Sequence, residues 1–363
     1  MRAALFTEVG HPLEVVHDVE IEGPGPGQVR VRIAACGVCH SDLSIMTMQP
    51  VGPTIPGHEA AGEVVEVGPG VTRLSVGDHV ILSPNPACGH CAYCRRGEFS
   101  VCVDSIAIAT STLPDGTTHL SRGGDTVYRG LGLGAWADEV VVPEAGAVRI
   151  DVDVPMDVAC VIGCAVQTGV GAAINTAHVQ PGDSVLVMGA GGIGVSIIQG
   201  ASIAGASRII VSDPSEARRE SALRFGATDV VDPSECDVVS TTMDLTGIGA
   251  DVAFDAVGSS ALVSAGIDAI RSRGTMVLVG AAITDEPVPL SSVGVMFTEK
   301  RIVGSLLGSC WAPRDIPRLV GLWQSGRLDL AGMVSARRPL EDINEAVADA
   351  AAGRGLRNVV LLD

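Results

Sequence analysis

Four cysteines crowd into Pro86-Ala87-Cys88-Gly89-His90-Cys91-Ala92-Tyr93-Cys94 and its close at Cys102. The C-x-x-C-x-x-C spacing, with a fourth thiol after seven more residues, lets four sulfurs converge tetrahedrally on one Zn²⁺ that keeps no open position. Such a lobe folds around its metal and performs no chemistry. The alternative is a pair of disulfides, but ten cysteines among 363 residues are too sparse for a disulfide scaffold. Met1 to Phe6 is followed by Glu8 and His11 without the apolar stretch of a secretory signal, so a reduced, cytoplasmic setting is expected.

A closed zinc site in an enzyme-sized chain directs attention to the remaining thiols: Cys36, Cys39, Cys160, Cys164, Cys236 and Cys310. Cys39 sits in Gly37-Val38-Cys39-His40-Ser41-Asp42, His58 and Glu59 follow in Pro56-Gly57-His58-Glu59, and Cys164 lies in Gly163-Cys164-Ala165. Two thiolates and one imidazole, with the fourth position left for water or substrate, are what a catalytic zinc needs. Spacing alone does not pair Cys39 with Cys164. Taken singly, His58 and Cys164 read more readily as buried packing residues.

A nucleotide site is more fully written. Gly189, Gly191 and Gly194, with Gly192 and Ile193 between them, follow the apolar run Val185-Leu186-Val187-Met188 and open a helical stretch. A second apolar run, from Arg208, ends at Asp213, about 20 residues beyond the last glycine. In this fingerprint glycines let the backbone approach a pyrophosphate, the helix N-terminus supplies positive potential, and the carboxylate accepts from ribose hydroxyls. Asp213 would repel a 2′-phosphate, so NAD is expected over NADP. Arg218 is near enough in sequence to touch the adenosine ribose or a phosphate; a solvated helix-face arginine is the alternative.

These residues need two kinds of scaffold. In the first 150 residues, Val29 to Ala34 and Gly62 to Val67 alternate apolar and polar positions, and His79 to Leu82 and Glu139 to Val142 add short apolar runs. That pattern predicts a β-rich antiparallel module. From about Pro155 the pattern becomes strand, glycine turn, helix, strand: Ser184 to Met188, a helix through Ala204, Arg208 to Asp213, Val252 to Ala256 and Thr275 to Gly280. This is the signature of βαβ units in a doubly wound parallel sheet. Helices are expected over Asp315 to Gln324 and Leu340 to Ala352, and a last strand, Asn358 to Leu362, is expected to return to the first module. The expected fold is α/β: a β-rich domain of residues 1–165 and 307–363, with its zinc lobe at about 84–103, and a dinucleotide domain of residues 166–306.

A formal net charge of −18 repels phosphate backbones and anionic lipid, which argues against nucleic acid and membrane partners. The uncharged stretch from Ser184 to Ser207 is long enough to span a bilayer, but its glycines divide it into strand, turn and helix.

Taken together, Gly37-Val38-Cys39-His40-Ser41-Asp42, Gly57-His58-Glu59, the four-cysteine lobe, Gly163-Cys164 and the glycine fingerprint resemble the zinc-dependent medium-chain alcohol dehydrogenases, over essentially the whole chain. The resemblance implies a GroES-like catalytic domain beside a Rossmann domain, NAD as cofactor, and two Zn²⁺ per subunit. It implies Cys39, His58 and Cys164 as catalytic zinc ligands, Glu59 as a carboxylate able to approach the metal, Asp42 as the residue orienting His58, and Cys88, Cys91, Cys94 and Cys102 as ligands of the structural ion. Zinc would lower the pKa of a bound alcohol, Ser41 would accept its proton and pass it through the cofactor ribose, and hydride would go to the nicotinamide. His40 and Arg357 match positions that touch the pyrophosphate, and Thr168 and Val279 are assigned to the cofactor with them.

Several positions depart from relatives. Ser44 stands where many carry a relay histidine, so proton release must use water or another base. Val103-Asp104-Ser105-Ile106-Ala107 lacks the arginine that glutathione-dependent formaldehyde dehydrogenases carry there, which speaks against a thiol-conjugate substrate. Pro84, Leu131 and Trp136 are expected to line a roomy pocket for bulky or aromatic primary alcohols. The stretch from Val103 to Ala135 matches the insertion of dimeric members, whose edge-strand pairing would fall around Val288 to Ile302. The competing readings are an aldehyde dismutase or nicotinoprotein that never releases NAD and, from a different class, a zinc-ribbon binding protein without catalysis.

Overall fold

The computed structural model describes residues 1–281 and 286–362, with the side chains of 106–108 outside that description. The chain forms two compact units, Met1–Cys164 with Trp311–Asp363, and Ala165–Cys310. The sequence pattern had set these changes at 165/166 and 306/307.

The first unit is built on a seven-stranded sheet whose centre is the strand Gln28–Val38. Glu59–Val67 pairs antiparallel along one edge of that strand, and His79–Leu82 and Ala147–Ile150 extend the sheet outward. Along the other edge lie Glu139–Pro143, which pairs with the first half, and Arg357–Leu361, which pairs with the second half in the register Asn358↔Val38. The last strand therefore returns to the first module, as its sequence implied. One strand starts earlier than its alternation predicts: Glu59–Val67 rather than Gly62 to Val67. Glu59, Ala60 and Ala61 have little intrinsic strand preference, but each is paired across to Gly37, Cys36 and Ala35, and tertiary pairing overrides propensity. The core behind this sheet is made of small branched side chains, with Val29, Val31, Ile33 and Leu82 among its fully buried members.

The second unit holds six parallel strands in the order Asp229–Val231, Arg208–Ser212, Ser184–Met188, Ala250–Asp255, Ile270–Leu278, Arg301–Gly304. The order reverses at Ser184–Met188, the first strand of the unit, which is the switch point of a doubly wound sheet. The helix Gly192–Ala204 is buried along most of its length and ends at Gly205 in the left-handed conformation. Continuous burial explains why its sequence reads as apolar all round. Among the described residues, no single helix is long and apolar enough to cross a membrane.

Candidate metal and nucleotide sites

Cys39, His58, Glu59 and Cys164 are brought together in the first unit, each buried, with their ligand atoms all within 4.8 Å of one another. A tetrahedron with zinc–sulfur bonds of about 2.3 Å has edges of about 3.8 Å, so the set fits one ion. Three local devices create it. Cys39 ends the central strand and precedes the helix His40–Ile45, whose Asp42 accepts a hydrogen bond from the Cys39 N–H at 3.1 Å. Gly57 turns the chain with φ +93°, a conformation that disfavours any side chain, and its N–H donates to Asp42 Oδ1 at 3.0 Å. Cys164 is delivered by the turn Cys160–Gly163, which packs on Glu59–Val67.

Asp42 is fully buried and also contacts His58 Nδ1 at 2.9 Å. That bond commits Nδ1 and leaves Nε2 to face a metal, as imidazole ligands require. Burial alone would lower the His58 pKa, but Asp42 outweighs it and raises the value well above the usual one. The two thiols split: Cys39 is held well below the ordinary thiol value, chiefly by the hydrogen bond from Cys164, and the Cys164 thiol is raised by the same bond. Burial pushes Glu59 up to about 8 despite the adjacent Arg357. Both Glu59 carboxylate oxygens are buried without a hydrogen-bond partner. A buried carboxylate held only by an ion pair with Arg357, beside two thiols and an oriented imidazole, is a donor set suited to a cation.

Arg357, assigned from the resemblance to a pyrophosphate, lies in this metal site. It is 4% exposed, its Nε is 3.0 Å from Glu59 Oε2, and its Nη2 donates to Cys39 Sγ at 3.6 Å. Burial disfavours its charge, but Glu59 and then the two site thiols overcome that and keep it protonated. Strand pairing, and not the local sequence, brings it there. The register Asn358↔Val38 sets Arg357 opposite Cys39, and a lone arginine opening an apolar strand needs an anionic partner. Ser41, half-buried, has its hydroxyl 3.8 Å from Cys39 Sγ. His40 is exposed at the start of the same helix.

The lobe closes as its spacing implies. Cys88, Cys91, Cys94 and Cys102 also lie with their sulfurs within 4.8 Å of one another. Backbone N–H groups point at three of them: Cys91 N to Cys88 Sγ at 3.4 Å, Cys94 N to Cys91 Sγ at 3.4 Å, and Cys88 N to Cys102 Sγ at 3.2 Å. The Cys94 N–H holds the Cys91 thiol down at about 6, while burial pushes Cys94 up to about 12. N–H groups aimed at sulfur favour thiolates, the metal-binding form. No disulfide links these cysteines.

In the second unit the fingerprint glycines play three different parts. Gly189 has φ +95°, and a Cβ there would strike Val257. A Cβ on Gly194 would run into the Gly189 carbonyl. Gly191 has nothing within 4 Å of where its Cβ would stand, so open space, and not packing, accounts for it. Gly192 and Ile193 start the helix whose N-terminus faces that space. Asp213 is buried; its carboxylate accepts from Ala190 N at 2.8 Å and Ser215 N at 2.9 Å, and Arg218 Nη1 lies 3.8 Å away. Val279 is buried, its N–H bonded to the Asp255 carbonyl. Thr168 is buried with an unpartnered hydroxyl.

The residues assigned to the pocket are placed as follows. Trp136 is 0% exposed and belongs to the core of the first unit: its indole backs Gly57 and its Nε1 donates to the Gly37 carbonyl at 3.4 Å. It supports the metal-ligand turn from behind. Pro84 is buried as well. Leu131 is half-buried, with a left-handed φ of 52° that a leucine adopts only under constraint.

A doubly wound dinucleotide unit joined to a β-rich unit that carries a buried Cys39, His58, Glu59 and Cys164 set and a four-thiol set defines a zinc-dependent medium-chain dehydrogenase. Residues 25–152 match the model of the alcohol dehydrogenase GroES-like domain, and residues 192–325 that of the zinc-binding dehydrogenases. The chain is 36% identical over 366 residues to an S-(hydroxymethyl)glutathione dehydrogenase of Synechocystis, covering 99% of both. It is also 36% identical over 366 residues to an NDMA-dependent alcohol dehydrogenase of Amycolatopsis methanolica, covering 99% of this chain and 98% of that one. The crystal structure of benzyl alcohol dehydrogenase from Acinetobacter calcoaceticus superposes with TM-score 0.94 at 31% identity, over 100% of this chain and 99% of the other. The chain belongs to the zinc-dependent medium-chain alcohol dehydrogenase family.

Proposed function

We propose that this enzyme oxidises bulky or aromatic primary alcohols to aldehydes, or runs the reverse reaction, with NAD as hydride acceptor and two zinc ions per chain. The observation that carries the reading is the buried Cys39, His58, Glu59 and Cys164 set with Asp42 fixed on His58 Nδ1. Bound there, zinc would supply Lewis acidity toward an alcohol oxygen. Asp42 holds the imidazole in one tautomer, Ser41 offers a hydroxyl beside Cys39 to take up a proton, and Arg357 balances the charge of Glu59 and Cys39. NAD held at Gly189, Gly191 and Gly194 would serve as the hydride acceptor, and the Asp213 carboxylate would favour it over its 2′-phosphorylated counterpart. The second ion would sit in the lobe.

The benzyl alcohol dehydrogenase likeness supports aromatic substrates, and the absence of an arginine in Val103 to Ala107 favours free alcohols over thiol conjugates. Initial rates with benzyl alcohol, short aliphatic alcohols and S-(hydroxymethyl)glutathione, each with NAD and NADP, test this. The expected ranking places benzyl alcohol with NAD first; preference for the glutathione conjugate would overturn it. The likeness to an NDMA-dependent alcohol dehydrogenase favours a second reading, in which NAD stays bound between turnovers. Nicotinamide absorbance that persists through gel filtration would establish that reading instead.

A further inference from the structure

The four-thiol lobe and the catalytic ligands are joined by a path of neighbouring elements that runs through one aromatic pair. Phe99 and Trp311 stack with ring centroids 4.6 Å apart and planes 16° from parallel. Aromatics are only 3% of this sequence, so a ring pair at this spot is not a by-product of aromatic abundance. On the lobe side, Phe99 opens the short turn Phe99–Val101, whose carbonyl at Phe99 accepts from the N–H of Cys102, the fourth sulfur of the set. Asn85 ties the same turn down by donating to the Ser100 carbonyl at 3.0 Å. The place of Phe99 is therefore set by closure of the lobe on its ion.

On the other side, Trp311 is the residue at which the chain re-enters the first unit, and it caps the helix Ala312–Gln324. Its N–H donates to Asp315 Oδ2 at 2.8 Å, and Arg314 grips the same buried carboxylate. That helix packs on the strand Ala147–Ile150 and on the turn Cys160–Gly163. The turn ends at Cys164, the one catalytic ligand supplied from outside the Cys39-to-Glu59 region. Gly163 has no room to give way, because a Cβ there would strike the Leu82 carbonyl. A shift of the helix would then reach Cys164 through a turn packed closely against Leu82.

We infer that Phe99 and Trp311 are positioning residues that couple the metal-loaded lobe to retention of the catalytic zinc through Cys164. The lobe then serves the reaction as a brace for the ligand set, beyond holding its own segment. This inference rests on the two-zinc reading above.

Zinc release from the purified holoenzyme into a chromogenic chelator tests it, with the stoichiometry fixed by elemental analysis. His58→Ala protein, keeping only the lobe ion, supplies the reference rate for that ion. The expected result for Phe99→Ala and for Trp311→Ala is release of the catalytic equivalent about two- to tenfold faster, the range an aromatic pair supports. The double variant should release no faster than either single one, because one contact is lost in all three. Phe99→Tyr, which keeps the stack, should release at the wild-type rate and stands in if the alanine variants do not fold. In that event Trp311→Phe and Phe99→Leu are compared, and only the leucine variant should release faster. Wild-type release of the catalytic equivalent from the stack-deleted proteins, or acceleration of the lobe ion alone, would overturn the coupling. Fewer than two zinc ions in the wild-type chain would refute the two-zinc reading and the coupling with it.

Discussion

Asp42 accepts three hydrogen bonds, from the N–H groups of Cys39 and Gly57 and from His58 Nδ1, in a position with no exposure to solvent. An asparagine of the same shape presents one amide NH₂ to donors, so at least one of the three partners loses its acceptor. Asp42→Asn should therefore lower zinc affinity and kcat/KM by about 10- to 100-fold. Zinc retained after dialysis against graded chelator, measured beside kcat/KM, checks this; unchanged retention would show that the His58 orientation is fixed by something else. Gly57→Ala should act by a different route. It forces an alanine to φ +93° and drives its Cβ to within 2.5 Å of the Trp136 ring. We expect a loss of about 2–4 kcal/mol in chemical denaturation, with activity falling further as His58 moves. At this scale the ligand types were legible, because cysteine spacing and a Gly-His-Glu run limit what metal chemistry is available. The burial of Trp136 and the placement of Arg357 were not, since both depend on which strands become neighbours across long stretches of chain.

Among elements, the parallel sheet was the most readable, with Ser184–Met188 falling where its apolar run ends in glycine. Continuous Val/Ile/Leu runs between glycine turns leave few other options. The antiparallel sheet was harder, because the Glu59–Val67 strand begins on residues that only its partner strand makes extended. One cross-strand device yields a pH prediction. Asp251 accepts from Ser184 N and Oγ, both at 2.8 Å, and from Arg271 Nε at 2.6 Å, linking three adjacent strands. Burial opposes its ionisation, but Ser184 and Arg271 outweigh that and hold the carboxyl below its usual range. A carboxyl depressed in the folded state adds stability above its unfolded pKa of about 3.9 and loses it as pH falls through the folded value. Asp251→Asn should cost about 1 kcal/mol at pH 7, a figure reduced for partial solvent screening. The difference should shrink below about pH 4. Urea midpoints of both proteins at the two pH values decide this; a penalty that does not change with pH would locate the effect in hydrogen-bond geometry and not in charge.

For the whole molecule, the question is what covers the outer edge of the dinucleotide unit. The strand Arg301–Gly304 ends the sheet there with one side unpaired among the described residues. Beside it Leu290, Val293, Met296 and Phe297 are 53–79% exposed, and Ile302 is 37% exposed. Monomers seldom leave this many large apolar side chains exposed in the segment that leads into a free strand edge. A second copy of this chain, meeting the same segment about a twofold axis, would pair edge to edge and bury it, which is the homodimer that the resemblance implies. The net charge of −18 on each copy opposes that meeting, so such an association would have to be driven by apolar burial. Two consequences separate this arrangement from a charge-mediated one. Raising the salt from about 20 mM to 500 mM should tighten the dimer by screening the repulsion, where an interface held by ion pairs would loosen. Phe297→Asp should yield monomers at micromolar concentration, because it places a like charge at the most exposed point of the segment on both copies. Sedimentation velocity reads both effects, and a Phe297→Asp protein that remains dimeric would move the interface to another face of the molecule.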